Sequence, residues 1–155
     1  YQKRPKLFMV PFSEIQEEIL EKNSDKYRLL LYRRMMLRIA NKIAVNERAK
    51  AVITGEALGQ VASQTIENLG AVDSVSNLPV FRPLIGLDKQ EIINTGKKIN
   101  TYSISIRPHE DCCTLFLPQK PATKATPEKL DIEENKMDIQ TMVNRAIDNS
   151  EFFYF

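Results

Sequence analysis

The run Val52-Ile53-Thr54-Gly55-Glu56-Ala57-Leu58-Gly59 constrains this chain more than any other. Residues 51–54 are mostly apolar and β-branched, a glycine-punctuated turn follows, and small residues lead through Val61, Ala62 and Ser63 to Thr65. A buried parallel strand that hands the chain to a helix has this order. Ligands of parallel sheets sit at such a hand-over. There Gly55 and Gly59 let backbone approach a bound group, and the first helical turn offers unpaired N–H groups to an anion. By itself Gly-x-x-x-Gly also fits a tight strand-to-helix turn with no ligand.

The chain has 155 residues, enough for one domain with a real core. It begins at Tyr1, and a strand-like segment starts within a few residues, so it is expected to be a piece of a longer protein. No apolar run approaches the length of a membrane span and no secretory signal is visible, which points to the cytoplasm. Cys112 and Cys113 are adjacent and form no unstrained staple, so free thiols are expected. One histidine and no Cys-x-x-Cys leave a structural zinc site, or any other metal ligand set, without support. Charge is uneven: residues 1–50 hold 12 Lys/Arg against 6 Asp/Glu, and the remainder holds 10 against 14. A basic front of this kind is compatible with nucleic-acid contact.

Along the chain, residues 6–12 read as a short buried strand ended by Pro11, which cannot donate to a central ladder. Ser13 reads as an N-cap with Gln16 three residues on, opening a helix to about residue 21. A longer helix covers about 25–48, with Leu30, Leu37, Ala40 and Ala44 on one face. Arg34, Arg38 and Lys42 form a basic ridge off that face, either solvated or set against phosphate. A helix over 59–69 and a strand over 78–81 come next. Arg82 then emerges on the ligand side if that strand runs parallel to its neighbours. Asp88 and Glu91 make a capping box for a helix over 89–99, which puts Lys89 in the first turn, where a cation gains nothing from the helix dipole. Exposure or an anion accounts for such a lysine. Residues 102–106 alternate in polarity and read as a strand or extended segment. Three regions result: a domain over 1–117, an extended proline-rich linker over 118–127, and an acidic helix with an aromatic tail over 128–155.

The wording around the glycines says more than their spacing. Thr54-Gly55-Glu56-Ala57-Leu58-Gly59-Gln60-Val61-Ala62-Ser63-Gln64-Thr65 closely resembles the marker stretch of the tRNA 4-thiouridine synthetase family, PP-loop sulfurtransferases also needed for thiamine thiazole synthesis. Tyr32-Arg33-Arg34-Met35-Met36-Leu37-Arg38, Arg82-Pro83-Leu84-Ile85, Asp88-Lys89-Gln90-Glu91-Ile92-Ile93 and Pro108-His109-Glu110-Asp111-Cys112-Cys113 agree with it in order. The resemblance covers about residues 6–124. The family's Ser-Gly-Gly-x-Asp-Ser phosphate loop does not occur in the chain.

What the resemblance implies is an α/β fold with a Rossmann-like parallel sheet of the PP-loop (adenine nucleotide alpha hydrolase-like) type, incomplete here and followed by a C-terminal helical tail. It implies adenylation of a tRNA uridine by ATP, accompanied by Mg2+, and replacement of O4 by sulfur from a protein-borne persulfide. Arg33, Gly55 and Gln64 fall at positions that would hold ATP, Arg82 and Lys89 are weaker candidates for its phosphates, and Cys112 aligns with the sulfur-handling cysteine. Cys113 is an extra thiol. The implied partners are tRNA, a cysteine desulfurase and the sulfur-carrier protein of thiamine synthesis, with a homodimer left open and no membrane. Without the phosphate loop the chain alone is expected neither to thiolate tRNA nor to bind ATP well. Two alternatives stand beside this reading: a PP-loop enzyme that adenylates a small molecule, and a non-catalytic assembly fragment.

Overall fold

A computed structural model describes residues 4–109, 118 and 120–155. Its centre is helix α2, Arg28–Asn46, reached through helix α1, Ser13–Lys22, and a 3-10 turn at Asp25–Tyr27. No glycine or proline interrupts α2, and Leu30, Leu31, Tyr32, Met35, Leu37 and Ile39 are all buried. That set goes most of the way round the helix, the pattern of a helix enclosed by neighbours rather than lying on a surface. Ile15 and Ile19 pack against it from α1. Each large apolar side chain so buried contributes roughly 1.5–3 kcal/mol.

Two short sheets flank this helix among the described residues. Strand β1, Lys6–Met9, pairs antiparallel with the last strand, β4, Glu151–Tyr154, in the register Lys6↔Tyr154 to Met9↔Glu151. The expected buried strand at the front is therefore half of a two-stranded ribbon, with Leu7 and Met9 exposed. The aromatic end closes the ribbon: the Phe8 and Phe152 rings lie 6.2 Å apart and the Lys6 ammonium stands 4.7 Å from the Phe152 ring centre. Strands β2, Val52–Ile53, and β3, Val80–Phe81, pair in parallel.

Helix α3, Ile66–Asp73, lies between β2 and β3 in the chain and supplies Leu69, Ala71 and Val72 to the core. The helix expected over 59–69 does not form as one piece. Gly59 takes φ +71, its N–H donates to the Gln64 carbonyl at 2.8 Å, and a 3-10 turn over Ala62–Gln64 precedes α3. Thr65 is extended, and its hydroxyl accepts from the Asn68 N–H at 3.2 Å, so the helix starts after it. Helix α4, Lys89–Lys98, has the full capping box expected of Asp88 and Glu91. Residues 102–105 differ from expectation: Tyr102–Ser105 forms the short helix α5, whose bonds are local, such as Ser105 N–H to Thr101 carbonyl at 3.0 Å. An alternating pattern needs a neighbouring strand to become one, and no described strand lies beside it.

The C-terminal region holds two helices, α6, Pro127–Glu134, and α7, Ile139–Asp148, where one was expected. Pro127 starts the first, and the Asp138 side chain caps the second by accepting from Thr141 N–H at 3.1 Å. These helices also correct the reading of the basic ridge. Arg34 is 2 % exposed and bonds Asp131 at 2.5 Å and Glu134 at 3.1 Å. Arg38 Nη2 donates to Glu134 at 2.9 Å, and Lys42 donates to Asn144. The ridge holds α6 and α7 in place: Arg34 is neither solvated nor open to phosphate, whereas Arg38, its side chain 24 % exposed, and the half-buried Lys42 keep part of their surface open. No described helix is long and apolar enough to cross a membrane.

Candidate functional site

Because β2 and β3 run parallel, both release the chain at the same edge, and the segments after the two strands meet there. After β2 come Thr54, Gly55 and Glu56; after β3 comes Arg82. Asn41 in α2 sets the approach to β3. Its side-chain oxygen accepts from Ser76 Oγ, Asn77 N–H and Leu78 N–H at 3.0, 3.0 and 3.1 Å. Helix α2 passes under this edge and contributes Arg33, Met36, Leu37 and Ala40, and the 3-10 turn contributes Gln64. Together these residues line a cleft of about 450 Å³.

The polar floor of the cleft is built on Glu56, which is buried. One carboxylate oxygen accepts from Arg33 Nη2; the other accepts from the Thr54 hydroxyl at 2.7 Å and from Arg82 Nε at 2.5 Å. Arg82 is held on its other side by a bidentate pair with Asp73, at 2.8 and 2.6 Å. Arg33 also donates from Nη1 to Ser63 Oγ at 3.0 Å. Burial alone would push the Glu56 carboxyl up. The Thr54 hydroxyl, Arg33 and Arg82 outweigh it and hold the group below the ordinary carboxylate range. Arg82 behaves in the opposite sense: burial would lower it, but Asp73 and Glu56 keep it firmly protonated.

The two arginines are not equivalent as ligand donors. A guanidinium has five N–H donors, of which Arg82 uses three on carboxylates while Arg33 uses two. The Arg33 side chain is 21 % exposed and that of Arg82 11 %. Arg33 therefore presents the freer charge to the cleft.

Four of the residues singled out in the sequence, Arg33, Gly55, Gln64 and Arg82, line this one cleft. Lys89 does not line it; it stands exposed at the first position of α4. Cys112 and Cys113 lie outside the described residues. Gly55 has an ordinary φ, and a Cβ there would meet nothing within 4 Å, so neither its backbone nor its described neighbours require a glycine. Gly59, by contrast, needs its glycine for φ +71. Sequence reasoning passed over Glu56, Ser63 and Asp73. The one available signal was an acidic residue two positions after Thr54 in a stretch otherwise read for its glycines. Among the described residues no group of three or more His, Cys, Asp or Glu side chains is placed to hold a metal ion.

The family described as thiamine biosynthesis protein (ThiI) matches residues 1–139. The chain belongs to this family. Among curated members it is 52% identical over 151 residues to the probable tRNA sulfurtransferase of Thermoanaerobacter sp. (strain X514), which covers 97% of this chain and 39% of that protein. It is 48% identical over 146 residues to the probable tRNA sulfurtransferase of Bacillus licheniformis, covering 94% of this chain and 36% of that protein. A solved crystal structure, a 4-thiouridine synthetase–RNA complex with bound ATP, superposes with a TM-score of 0.93 at 42% identity, over 99% of this chain and 40% of that one. The chain thus spans about two fifths of the length of the family members it matches. The sequence resemblance to the 4-thiouridine synthetases is borne out, and so is the broad α/β fold.

Proposed function

We propose that this chain is the distal portion, over residues 1–117, of a PP-loop ATP pyrophosphatase domain with a Rossmann-like parallel sheet, in a cytoplasmic tRNA sulfurtransferase that makes 4-thiouridine and supplies sulfur for thiamine thiazole synthesis. The observation that carries the reading is the cleft at the edge of β2 and β3, where Arg33, Gly55, Gln64 and Arg82 converge. It lies in a chain that matches a 4-thiouridine synthetase solved with RNA and ATP over nearly its whole length.

The residues suit a nucleotide. Arg33 offers a partly exposed guanidinium for phosphate, Gln64 offers both a donor and an acceptor for a base edge or ribose, and Gly55 leaves room at the cleft edge. When bound, ATP supplies the adenylyl group that turns the uridine O4, a poor leaving group as a carbonyl oxygen, into one that a sulfur nucleophile displaces. Both carboxylates near the cleft floor, Glu56 and Asp73, are already engaged by guanidinium groups. Mg2+ would then be carried by the phosphates and by residues other than these. Cys112 is assigned the sulfur, received from a cysteine desulfurase, and tRNA is the acceptor. The sulfur-carrier protein of thiamine synthesis is the second acceptor in this scheme, and a homodimer is compatible with it.

A chimera tests the reading: this chain replaces the matching 151 residues of the Thermoanaerobacter protein, in cells deleted for their own tRNA sulfurtransferase. Restored 4-thiouridine in bulk tRNA, lost again with Cys112→Ser, is expected. A folded chimera that leaves 4-thiouridine absent while the intact Thermoanaerobacter protein restores it would remove the tRNA reading.

A further inference from the structure

Among the described residues Glu56 is the only acidic side chain that lines the cleft, and it sits between the two arginines assigned to an anionic ligand. An acid there looks self-defeating, since its charge repels phosphate. The geometry gives it another use. Each carboxylate oxygen serves one arginine, and a guanidinium is a planar fork, so a bond to one of its nitrogens fixes the direction of the others. Arg82 does not depend on this bond, because Asp73 grips it bidentately from the far side. Arg33 does depend on it: its only other hydrogen-bond partner among the described residues is the Ser63 hydroxyl, a single neutral acceptor.

We propose that Glu56 is a positioning residue that acts through Arg33, holding that guanidinium in one orientation so that its remaining donors meet the nucleotide phosphates without reorganisation. Thr54 completes the arrangement by donating at 2.7 Å to the other carboxylate oxygen, which restrains the carboxylate that Arg33 holds. A group held in its bound geometry before the ligand arrives loses less freedom on binding, which appears as affinity. This role rests on the reading of the cleft as an ATP site. It differs in sign from a mere counter-charge: deleting a counter-charge leaves the cleft more positive and strengthens anion binding, whereas deleting a positioning group weakens it.

The test uses the same chimera and measures ATP affinity by calorimetry, with thermal unfolding as a check on folding. Glu56→Gln keeps the shape but has one oxygen for two arginines, and about a tenfold weaker ATP affinity is expected. In a chimera already carrying Arg33→Ala, Glu56→Gln should add nothing, because a residue acting through another shows no separate effect once that partner is gone. Unchanged or tighter ATP binding by Glu56→Gln, or an equal further loss in the Arg33→Ala background, overturns the proposal. Should Glu56→Gln fail to fold, Thr54→Val decides: it removes one hydrogen bond to the carboxylate and should weaken ATP binding by a few-fold, and unchanged affinity overturns the role. A parent chimera that folds but binds no ATP would instead remove the reading of the cleft, and this inference with it.

Discussion

At the residue scale, the chemistry of the cleft is set by how few oxygens serve how many donors. Glu56 offers two carboxylate oxygens to Thr54, Arg33 and Arg82, and that crowding holds its carboxyl below the usual range despite burial. The consequence is a pH dependence of stability. A carboxyl depressed in the folded chain stabilises it fully above the unfolded value of about 4.3, and that contribution is lost as pH falls through the lower folded value. The wild-type chain should therefore lose thermal stability faster than Glu56→Gln as the pH falls below about 5, so that the difference between them narrows on acidification. Parallel losses in the two proteins would show that Glu56 is not the titrating group. Arg33, Gly55, Gln64 and Arg82 were legible in the sequence because wording shared with a family marks positions. Glu56 was not, because an acid in a turn is commonplace until the side chains that converge on it are known.

At the element scale, the C-terminal helices are held by charge as well as by packing. Met142, Val143 and Ala146 of α7 and Leu130 of α6 bury apolar surface, while the buried Arg34 bonds Asp131 and Glu134. Truncating one partner of a buried ion pair leaves the other's charge without compensation. Arg34→Ala should cost about 1–3 kcal/mol in urea unfolding, below the loss for a fully buried pair, because Asp131 is 55 % exposed and Arg38 still reaches Glu134. Arg145→Ala, which breaks an exposed pair with Glu14, should cost under about 0.5 kcal/mol. Equal costs would show that α6 docks by apolar contact alone. The proline-rich stretch before α6 is likewise pinned. Asn68, fully buried, donates to the Ala62 and Ala122 carbonyls at 2.7 and 2.8 Å and accepts from Ala125 N–H at 2.9 Å. The Asp88 capping box was readable because capping is local, whereas Ser13, read as an N-cap, is the first residue of α1 and its side chain caps nothing. The basic ridge was misread because its partners lie nearly a hundred residues away in the chain.

At the scale of the whole molecule, order is graded. Helix α2 contacts α1, α3, α6 and α7 and carries much of the core, whereas α4 and α5 bury no residue. Amides of residues 30–39 should exchange with solvent only through global unfolding, and those of α4 and α5 orders of magnitude faster through local opening, as hydrogen exchange would measure. Uniform protection across the chain would contradict this gradient. The sequence by itself determined the local and the inherited: the parallel strand at 52–53, though not its expected burial since Ile53 is 69 % exposed, the α2 and α7 periodicities, the α4 cap and the family, because each is written in neighbouring residues or in shared wording. Only the tertiary structure decided the rest. It paired β1 with β4 across the length of the chain, turned residues 102–105 into a helix, set the basic ridge against α6 and α7, and placed Glu56 between two arginines. Strand pairing and ion pairing are satisfied by whichever complementary group arrives in space, and sequence distance does not record which one will.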